Sequence, residues 1–182
     1  MNEFITIILT LVILAGVLGI VYVMLYNNLQ AHKIKINEAE SVIDELLRSK
    51  YDIFIKIKKI ILDNTDVNKK VFKDLDTIKD KNFSSFDFER NLTNINTLID
   101  QIKLDYSKLK DNEDFSETYE EIYKLNEKLE ASKSFYNKYT SLLNKAIKKF
   151  PSNLLARLHN IEVQTYFDGK DLFDDNIEDF KL

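Results

Sequence analysis

Residues 115–151 read FSETYEEIYKLNEKLEASKSFYNKYTSLLNKAIKKFP and contain the longest regular pattern of the chain. Apolar or small residues recur there in two rows spaced by seven: Phe115, Ile122, Leu129, Tyr136, Leu143 and Phe150 in one row, and Thr118, Leu125, Ser132, Tyr139 and Ala146 in the other. This repeat predicts a long helix with one apolar stripe, which must be buried against other helices. Pro151, the only proline, ends the pattern because it has no amide hydrogen and disfavours helical angles at Phe150.

Two earlier segments carry the same seven-residue repeat, and a weaker segment lies between them. The first has Leu29, Ile36, Ile43, Lys50 and Ile57 in one row and Ala39, Leu46, Ile53 and Ile60 in the other, with interruptions at His32 and Lys50; the second has Leu92, Ile99 and Tyr106 with Ile95, Ile102 and Leu109. Between them we expect a helix at about residues 66–81, carrying Val67, Val71, Leu75 and Ile78. Four helices joined by short loops predict an all-α antiparallel bundle with crossing angles of roughly 20°.

The scarcity of turn residues independently favours an all-α fold. The chain has three glycines, Gly16, Gly19 and Gly169, whereas sheet-rich folds need many glycines and prolines in their turns. It has no cysteine, which excludes disulfides and thiolate metal sites. The net charge of −4 is spread over interleaved acidic and basic residues, so we expect no nucleic-acid partner.

Residues 4–25, FITIILTLVILAGVLGIVYVML, form an uncharged apolar segment of 22 residues. At about 1.5 Å per residue it is long enough to cross a hydrocarbon core of about 30 Å. A cleaved signal peptide would have a basic start, whereas the first charge here is Glu3, and a lipoprotein signal would need cysteine where Val17 stands. We therefore predict a permanent anchor over residues 1–25, continuous with a bundle over residues 26–150 that lies close to the membrane.

The basic residues near this segment predict its orientation. None precedes it, and Lys33 and Lys35 follow it, so the N-terminus should lie outside and the body in the cytoplasm. Tyr22 and Tyr26 suit the interfacial region of the membrane, as aromatic belts do. Ala15 and Gly19 have a spacing that lets two spans pack, which is compatible with a homo-oligomer, although such a pair arises readily by chance.

The sequence contains no pattern that indicates catalysis. Its two histidines, His32 and His159, are too few for a zinc site without cysteine. The phosphate-binding and metalloprotease motifs are missing, and the acidic run at residues 168–176 does not have the spacing of a calcium loop. We expect no enzymatic activity, no metal and no cofactor.

Past Pro151 the chain predicts two short segments. Over residues 151–167 we expect a helical turn, with Ser152 as its N-cap and Leu154, Leu155 and Leu158 folded back onto the end of the bundle. Residues 168–182 form an acidic tail that includes Leu172, Phe173, Ile177 and Phe180. Such a mixture is typical of a peptide that docks on a partner, and equally of a frayed end.

The motif around Pro151 resembles that of the LemA family of bacterial membrane proteins. Tyr136-Asn137, then Asn144, then Phe150-Pro151-Ser152-Asn153-Leu154-Leu155-Ala156 are similar to the family's last helix, and Tyr26-Asn27, Asp52, Tyr106 with Phe115, and Tyr166-Phe167 are similar, in order, to other family landmarks. The resemblance extends over nearly the whole chain. It departs from the family at Ile55, Asn126 and Lys133, which replace a proline, a glutamate and an arginine.

This resemblance implies a membrane-anchored, all-helical protein without an established enzymatic activity. It also implies structural roles for the motif residues Tyr26, Asn27, Asp52, Phe115, Tyr136, Asn137, Asn144, Phe150, Pro151, Ala156 and Phe167. From the residues alone, two functions remain open. The first is a membrane-tethered scaffold or adaptor with an unidentified protein partner, itself membrane-bound or not. The second is an extracytoplasmic bundle that senses a ligand or assists a hydrolase.

Overall fold

The computed structural model describes residues 2–78 and 83–167 and is helical almost throughout. Its elements are α1 (Asn2–Asn64), a 3-10 helix (Lys69–Phe72), α2 (Lys73–Thr77), α3 (Ser85–Asp105), a second 3-10 helix (Ser107–Asp111), α4 (Glu113–Lys148) and α5 (Ser152–Leu158). The described residues contain no strand, which confirms the all-α prediction. The acidic tail over residues 168–182 lies outside the described residues.

The chain divides into two compact units. We call residues 38–136 with Phe167 the central unit, and residues 2–37 with 137–166 the terminal unit. The boundaries fall inside α1 and α4, so each of these helices contributes to both units. The predicted division into an anchor, a bundle, a terminal turn and a tail stays a prediction.

Successive segments of the central unit alternate in direction. The Ser85 hydroxyl at the start of α3 donates to Asp44 of α1 over 2.5 Å, and the Asn112 amide just past α3 donates to Asn64 over 3.3 Å, so α1 and α3 run in the same direction. The segment between them returns, with Asp76 paired to Lys58. Helix α4 runs back along α3, where Lys133 meets Glu89 near the start of α3.

The core of the central unit is apolar and continuous, and α1 buries a wider face than its two predicted rows. A third row, formed by Leu47, Phe54 and Ile61, is fully buried. The predicted rows of α3 are buried within the helix, with Tyr106 just past its end half-buried, and in α4 the first half of the seven-residue row is buried at Phe115, Ile122 and Leu129. Because α1 buries this third row in addition to residues of its predicted rows, it contacts more than one neighbour, as a helix in a bundle does.

Of the helix predicted at about residues 66–81, the described part is only partly α-helical, and its buried face differs from the expected one at Val71. The described part is a 3-10 helix followed by five residues of α2. Asn68 starts it, its side chain accepting from the Lys70 amide over 2.9 Å. Phe72, Leu75 and Ile78 are buried, whereas Val71 is exposed. Their spacing of three residues suits a tight helix, in which positions i and i+3 lie on one side.

The terminal unit has a small core of its own. Leu29 and Ile36 of α1, Leu143 of α4, Leu155 and Ala156 of α5, and Tyr166 are buried there. Thr140 and Asn144 are its polar residues that are buried as a whole, among the described residues. Helix α5 therefore packs on this core through the side that carries Leu155 and Ala156.

Three expectations about the end of α4 were wrong. Helix α4 ends at Lys148, and Phe150, the expected last core position, is 73% exposed. The N-cap position of α5 belongs to Pro151, and no side chain caps it, so Ser152 is the first helical residue. Leu154 and Leu158 are exposed. The reason is the direction of α5, which turns Leu155 and Ala156 inward and therefore turns Leu154 and Leu158 outward.

The first part of α1 has the length and apolarity of a membrane-spanning helix. Its most apolar window has a mean hydropathy of 2.9, and no residue of that window is buried by the rest of the chain. Among the described residues it is the only helix with these properties. Large apolar side chains from Phe4 to Met24 are consequently exposed.

Candidate functional sites

Asn144, a residue of the motif before Pro151, fastens the chain that follows α5. Its side-chain nitrogen donates to the Gln164 carbonyl over 2.8 Å, and its side-chain oxygen accepts from the Gln164 amide over 2.9 Å. The residue is only 2% exposed. An amide side chain has one donor group and one acceptor, so it pairs with both backbone groups of a residue as a neighbouring strand would. Asn144 therefore satisfies a backbone segment that no helix or sheet satisfies.

Tyr136 and Phe167, two other motif residues, meet in the central unit. Their rings pack edge to face, with centroids 6.0 Å apart. Phe86 packs against Phe167 in the same way at 6.4 Å, and the Lys133 ammonium lies 5.8 Å from the Phe167 ring. Edge-to-face pairs at these distances are favourable. Phe167 thus closes an aromatic cluster with α3 and α4.

A cluster of charged residues lies within the central unit. Lys50 of α1 is only 4% exposed, and its ammonium lies 5.8 Å from the Phe54 ring. Burial lowers the pKa of Lys50, and the charge of Glu89 offsets part of that effect. Lys133 of α4 pairs with Glu89 at 2.8 Å and with Glu130 at 2.6 Å.

This cluster has the composition of a structural ion network. Burial alone would lower the pKa of Lys133, but hydrogen bonds from its ammonium to Glu130 and Glu89 raise it overall. Lys133 is therefore held charged, and Glu89 is shared between two lysines. Glu89 carries no signal of this role in the sequence, because a glutamate on a helix looks like any solvated residue, and Lys50 stands there only as an interruption of the apolar row. The burial of Lys50 follows from its place in that row.

The end of the apolar segment carries an aromatic contact in the terminal unit. The Tyr22 hydroxyl and His159 Nε2 are 2.7 Å apart, and the ring of Tyr26 lies 4.6 Å from the His159 ring. His32 of α1 packs on Tyr139 of α4 at 6.1 Å. The two histidines thus make separate aromatic contacts along α1.

A cavity of about 540 Å³ lies beside α5 in the terminal unit. Lys148, Asn153, Arg157 and Glu162 supply its polar lining, with Ile147, Ala156, Asn160 and Ile161 around them. The Asn153 side-chain oxygen is buried there without a hydrogen-bond partner among the described residues. Asn160 has a φ of 49°, a conformation that asparagine tolerates better than most residues.

A second cavity, of about 350 Å³, is an open groove between α1 and α4 in the central unit. It is lined by Glu38, Ala39, Val42, Ala131, Ser132 and Phe135. Two alanines face each other across the helices, and small residues at such positions leave room for another chain to approach.

Of the other motif residues, Ala156 lines the cavity beside α5, and the rest lie apart from these sites. Asn27 and Asp52 are exposed on α1, Pro151 and Asn137 are half-buried, and Ala156 is buried in α5. Phe115 is fully buried and stacks on Tyr119 with ring centroids 5.7 Å apart. The described residues contain no group of three or more His, Asp or Glu side chains that could hold a metal ion. The motif residues are thus distributed over both units instead of forming one centre.

The comparison with protein families agrees with this arrangement. The model of the LemA family matches residues 39–177, which begins inside α1 after the apolar segment and includes all of α3, α4 and α5. No match is found among curated proteins or among solved structures. Since the family model matches well over half of the chain, this protein belongs to the LemA family.

Proposed function

We propose that this protein is a membrane-anchored helical bundle that acts as a non-catalytic scaffold or adaptor for membrane-associated protein partners. The observation that carries the proposal is the continuity of α1. One helix, Asn2–Asn64, contains both the exposed apolar segment and residues at the centre of the bundle core, such as Ile57 and Ile61. A large exposed apolar surface favours removal from water, and a segment of this length suits a bilayer.

The groove between α1 and α4 is where we expect a partner to bind. Ala39, Val42, Ala131 and Phe135 supply its apolar lining. This lining suits one amphipathic helix, which would lay small apolar side chains into the groove. Binding of this kind needs no catalytic group.

A site-specific photo-crosslinker tests the adaptor role in intact cells. We expect a crosslinker at Ala131, which is exposed in the groove, to capture a defined membrane protein, and Ala131→Arg to abolish co-purification of that protein. Ser134 is exposed on the same helix outside the groove lining and provides the matched crosslinker position and the matched Ser134→Arg variant. Equal capture at both positions, or none at either, contradicts the adaptor proposal.

The orientation that we propose places the bundle in the cytoplasm. Support comes from Lys33 and Lys35 after the apolar segment and the absence of basic residues before it. Since the chain has no cysteine, Lys128→Cys creates a unique thiol at an exposed position of α4. An impermeant maleimide should label this thiol only after the cells are permeabilised.

One observation favours the second function, an extracytoplasmic bundle that senses a ligand. The cavity beside α5 contains the buried Asn153 oxygen, which could accept a hydrogen bond from a ligand. The labelling experiment separates the two functions, because reaction of the Lys128→Cys thiol in intact cells would require the extracytoplasmic orientation and would overturn the cytoplasmic one.

A further inference from the structure

The corner between α4 and α5 lies at the level where the apolar segment ends. His159 directly follows α5, and it contacts Tyr22 and Tyr26 of α1. Tyr22 is inside the apolar segment of residues 4–25, and Tyr26 is the next residue after it. If that segment crosses a membrane, as proposed above, the C-terminal end of α5 is at the interface between hydrocarbon and water.

This corner exposes large apolar side chains. Leu154 and Leu158 stand four residues apart, on the same side of α5, and Leu158 is 68% exposed. Phe150, just before the turn at Pro151, is also exposed. The opposite side of α5 is already buried through Leu155 and Ala156, so the exposed side is a true outer face and not an unpacked core.

The same region is basic in a chain that is acidic overall. Residues 137–166 contain five basic residues, Lys138, Lys145, Lys148, Lys149 and Arg157, and one acidic residue, Glu162. Lys145, Lys149 and Arg157 are exposed around the apolar face. Apolar side chains surrounded by basic ones are typical of protein surfaces that lie on anionic membranes, because the apolar groups enter the interface and the cations attract phospholipid head groups.

We propose that Phe150, Leu154 and Leu158, with Lys145, Lys149 and Arg157, form a second membrane contact that binds a bilayer surface containing anionic phospholipids. We call these six residues the interfacial corner. The proposal rests on the proposed span, and the contact between His159 and Tyr22 provides its continuity with that span. The interfacial corner fixes the end of α4 to the surface that α1 crosses, so the terminal unit has two attachments to the bilayer.

Tryptophan fluorescence tests this contact, because the chain has no tryptophan of its own. The full-length Leu158→Trp protein is reconstituted in vesicles of phosphatidylcholine with phosphatidylglycerol, some carrying brominated acyl chains that quench nearby indole. We expect a blue-shifted emission that brominated lipid quenches. Quenching should be lost when phosphatidylglycerol is omitted, and also in Leu158→Trp protein that carries Lys145→Gln, Lys149→Gln and Arg157→Gln.

Two further tryptophans are controls. Val12→Trp, within the apolar segment, reports the span, and Leu104→Trp on α3 matches Leu158 with 67% exposure but has the acidic neighbour Asp105. Quenching of Val12→Trp but not of Leu158→Trp would overturn the interfacial corner and leave the span intact. No quenching of Val12→Trp would overturn the span itself. Quenching of Leu158→Trp that is independent of anionic lipid would overturn the role of the basic residues. A blue shift without quenching would indicate that another copy of the protein, and not the bilayer, covers the indole, and would also overturn the proposal.

Discussion

The most informative single residue is Asn144, because its side chain completes the hydrogen bonds of a backbone that has no regular structure. An unsatisfied buried backbone group destabilises a fold more than a satisfied one stabilises it. Asn144 therefore holds the segment of residues 161–166 in place. These two hydrogen bonds explain why a polar residue is buried in a helix whose other buried residues are mostly apolar. The structural role expected for Asn137, which is half-buried, stays a prediction.

Asn144→Ala removes both hydrogen bonds to Gln164 and should lower the free energy of unfolding by about 1–3 kcal/mol. Asn144→Asp keeps the acceptor for the Gln164 amide but puts a buried carboxylate oxygen against the Gln164 carbonyl, so at neutral pH its loss should be at least as large. Thermal unfolding in detergent measures both variants. Asn94→Ala, at an exposed position of α3, should change stability by no more than about 0.5 kcal/mol. Equal stability of Asn144→Ala and Asn94→Ala would contradict the role given to Asn144.

Lys50 predicts a pH dependence with a defined sign. Burial lowers the pKa of Lys50 below its ordinary 10.5, so between the folded pKa and 10.5 the unfolded state binds more protons. Stability linked to this group must therefore rise with pH in that window, as the cost of burying the charge disappears. Lys50→Met is the reference, because it retains Lys133, whose pKa is raised, and removes only the contribution of Lys50. Relative to this variant, the wild-type protein should gain stability as the pH approaches 10.5.

Denaturant unfolding at several pH values measures this difference. At neutral pH, Lys50→Met should be at least as stable as the wild type, because Glu89 keeps its pair with Lys133. Lys128→Met on the exposed side of α4 is the matched control and should show no such pH-dependent difference. A gap between wild type and Lys50→Met that stays constant with pH would refute the assignment.

At the scale of elements, the segment between α1 and α3 differs most from what its sequence suggests. It fills the place of a bundle helix with a 3-10 helix and the short α2, and three apolar side chains hold it. Phe72→Ala should destabilise the protein by about 3–5 kcal/mol, since the ring is fully buried. The neighbouring Val71→Ala is exposed and should cost less than about 1 kcal/mol. Thermal unfolding of the two variants tests which side is buried, and a larger loss for Val71→Ala would support the expected face, which included Val71.

The sequence predicted the buried faces of the long elements better than those of the short ones, for a physical reason. Over α1, α3 and α4 the apolar repeat extends for several turns, so the pattern determines both the helix and its buried face. Around residues 66–78 and 150–158 only one or two turns are available. The buried face of such a short helix depends on which elements pack against it, and the sequence pattern does not specify those elements. Phe72 and Val71 are both apolar, and Leu154 and Leu155 are too, so the periodicity of these short segments leaves their inward side undetermined.

The same limit applies to the sites. The motif before Pro151 identified Asn144, but its partner, the Gln164 backbone, carries no side-chain signal. The charge of Glu89 acts on Lys50 although the two residues belong to different helices, so no local pattern relates them. The interfacial corner combines residues from α4 and α5 whose exposure could not be read from composition, since leucine and phenylalanine are core residues in most helices.

For the whole molecule, the exposed apolar part of α1 predicts how the protein is retained in cells. The intact protein should stay with the membrane fraction after an alkaline carbonate wash. Leu11→Lys combined with Leu14→Lys should release it, because each lysine at the centre of a span costs about 2.5–3.5 kcal/mol. Leu104→Lys introduces the same charge at an exposed position of α3 and should leave the fractionation unchanged. Retention of the double variant would argue against a transmembrane α1.

The contact between Tyr22 and His159 joins residues that are 137 positions apart, and this separation has a consequence for biogenesis. A ribosome adds about 5–20 residues per second, so His159 is synthesised roughly 7–30 s after Tyr22. The apolar segment can enter the insertion machinery during that interval, while the side of α1 that carries Tyr22 and Tyr26 is still without its final neighbours. Contacts such as that of Asp44 with Ser85 span only 41 positions and become available earlier. If α1 spans a membrane, as proposed, the terminal unit is therefore completed last, by newly made chain that returns to a helix already inserted in the bilayer.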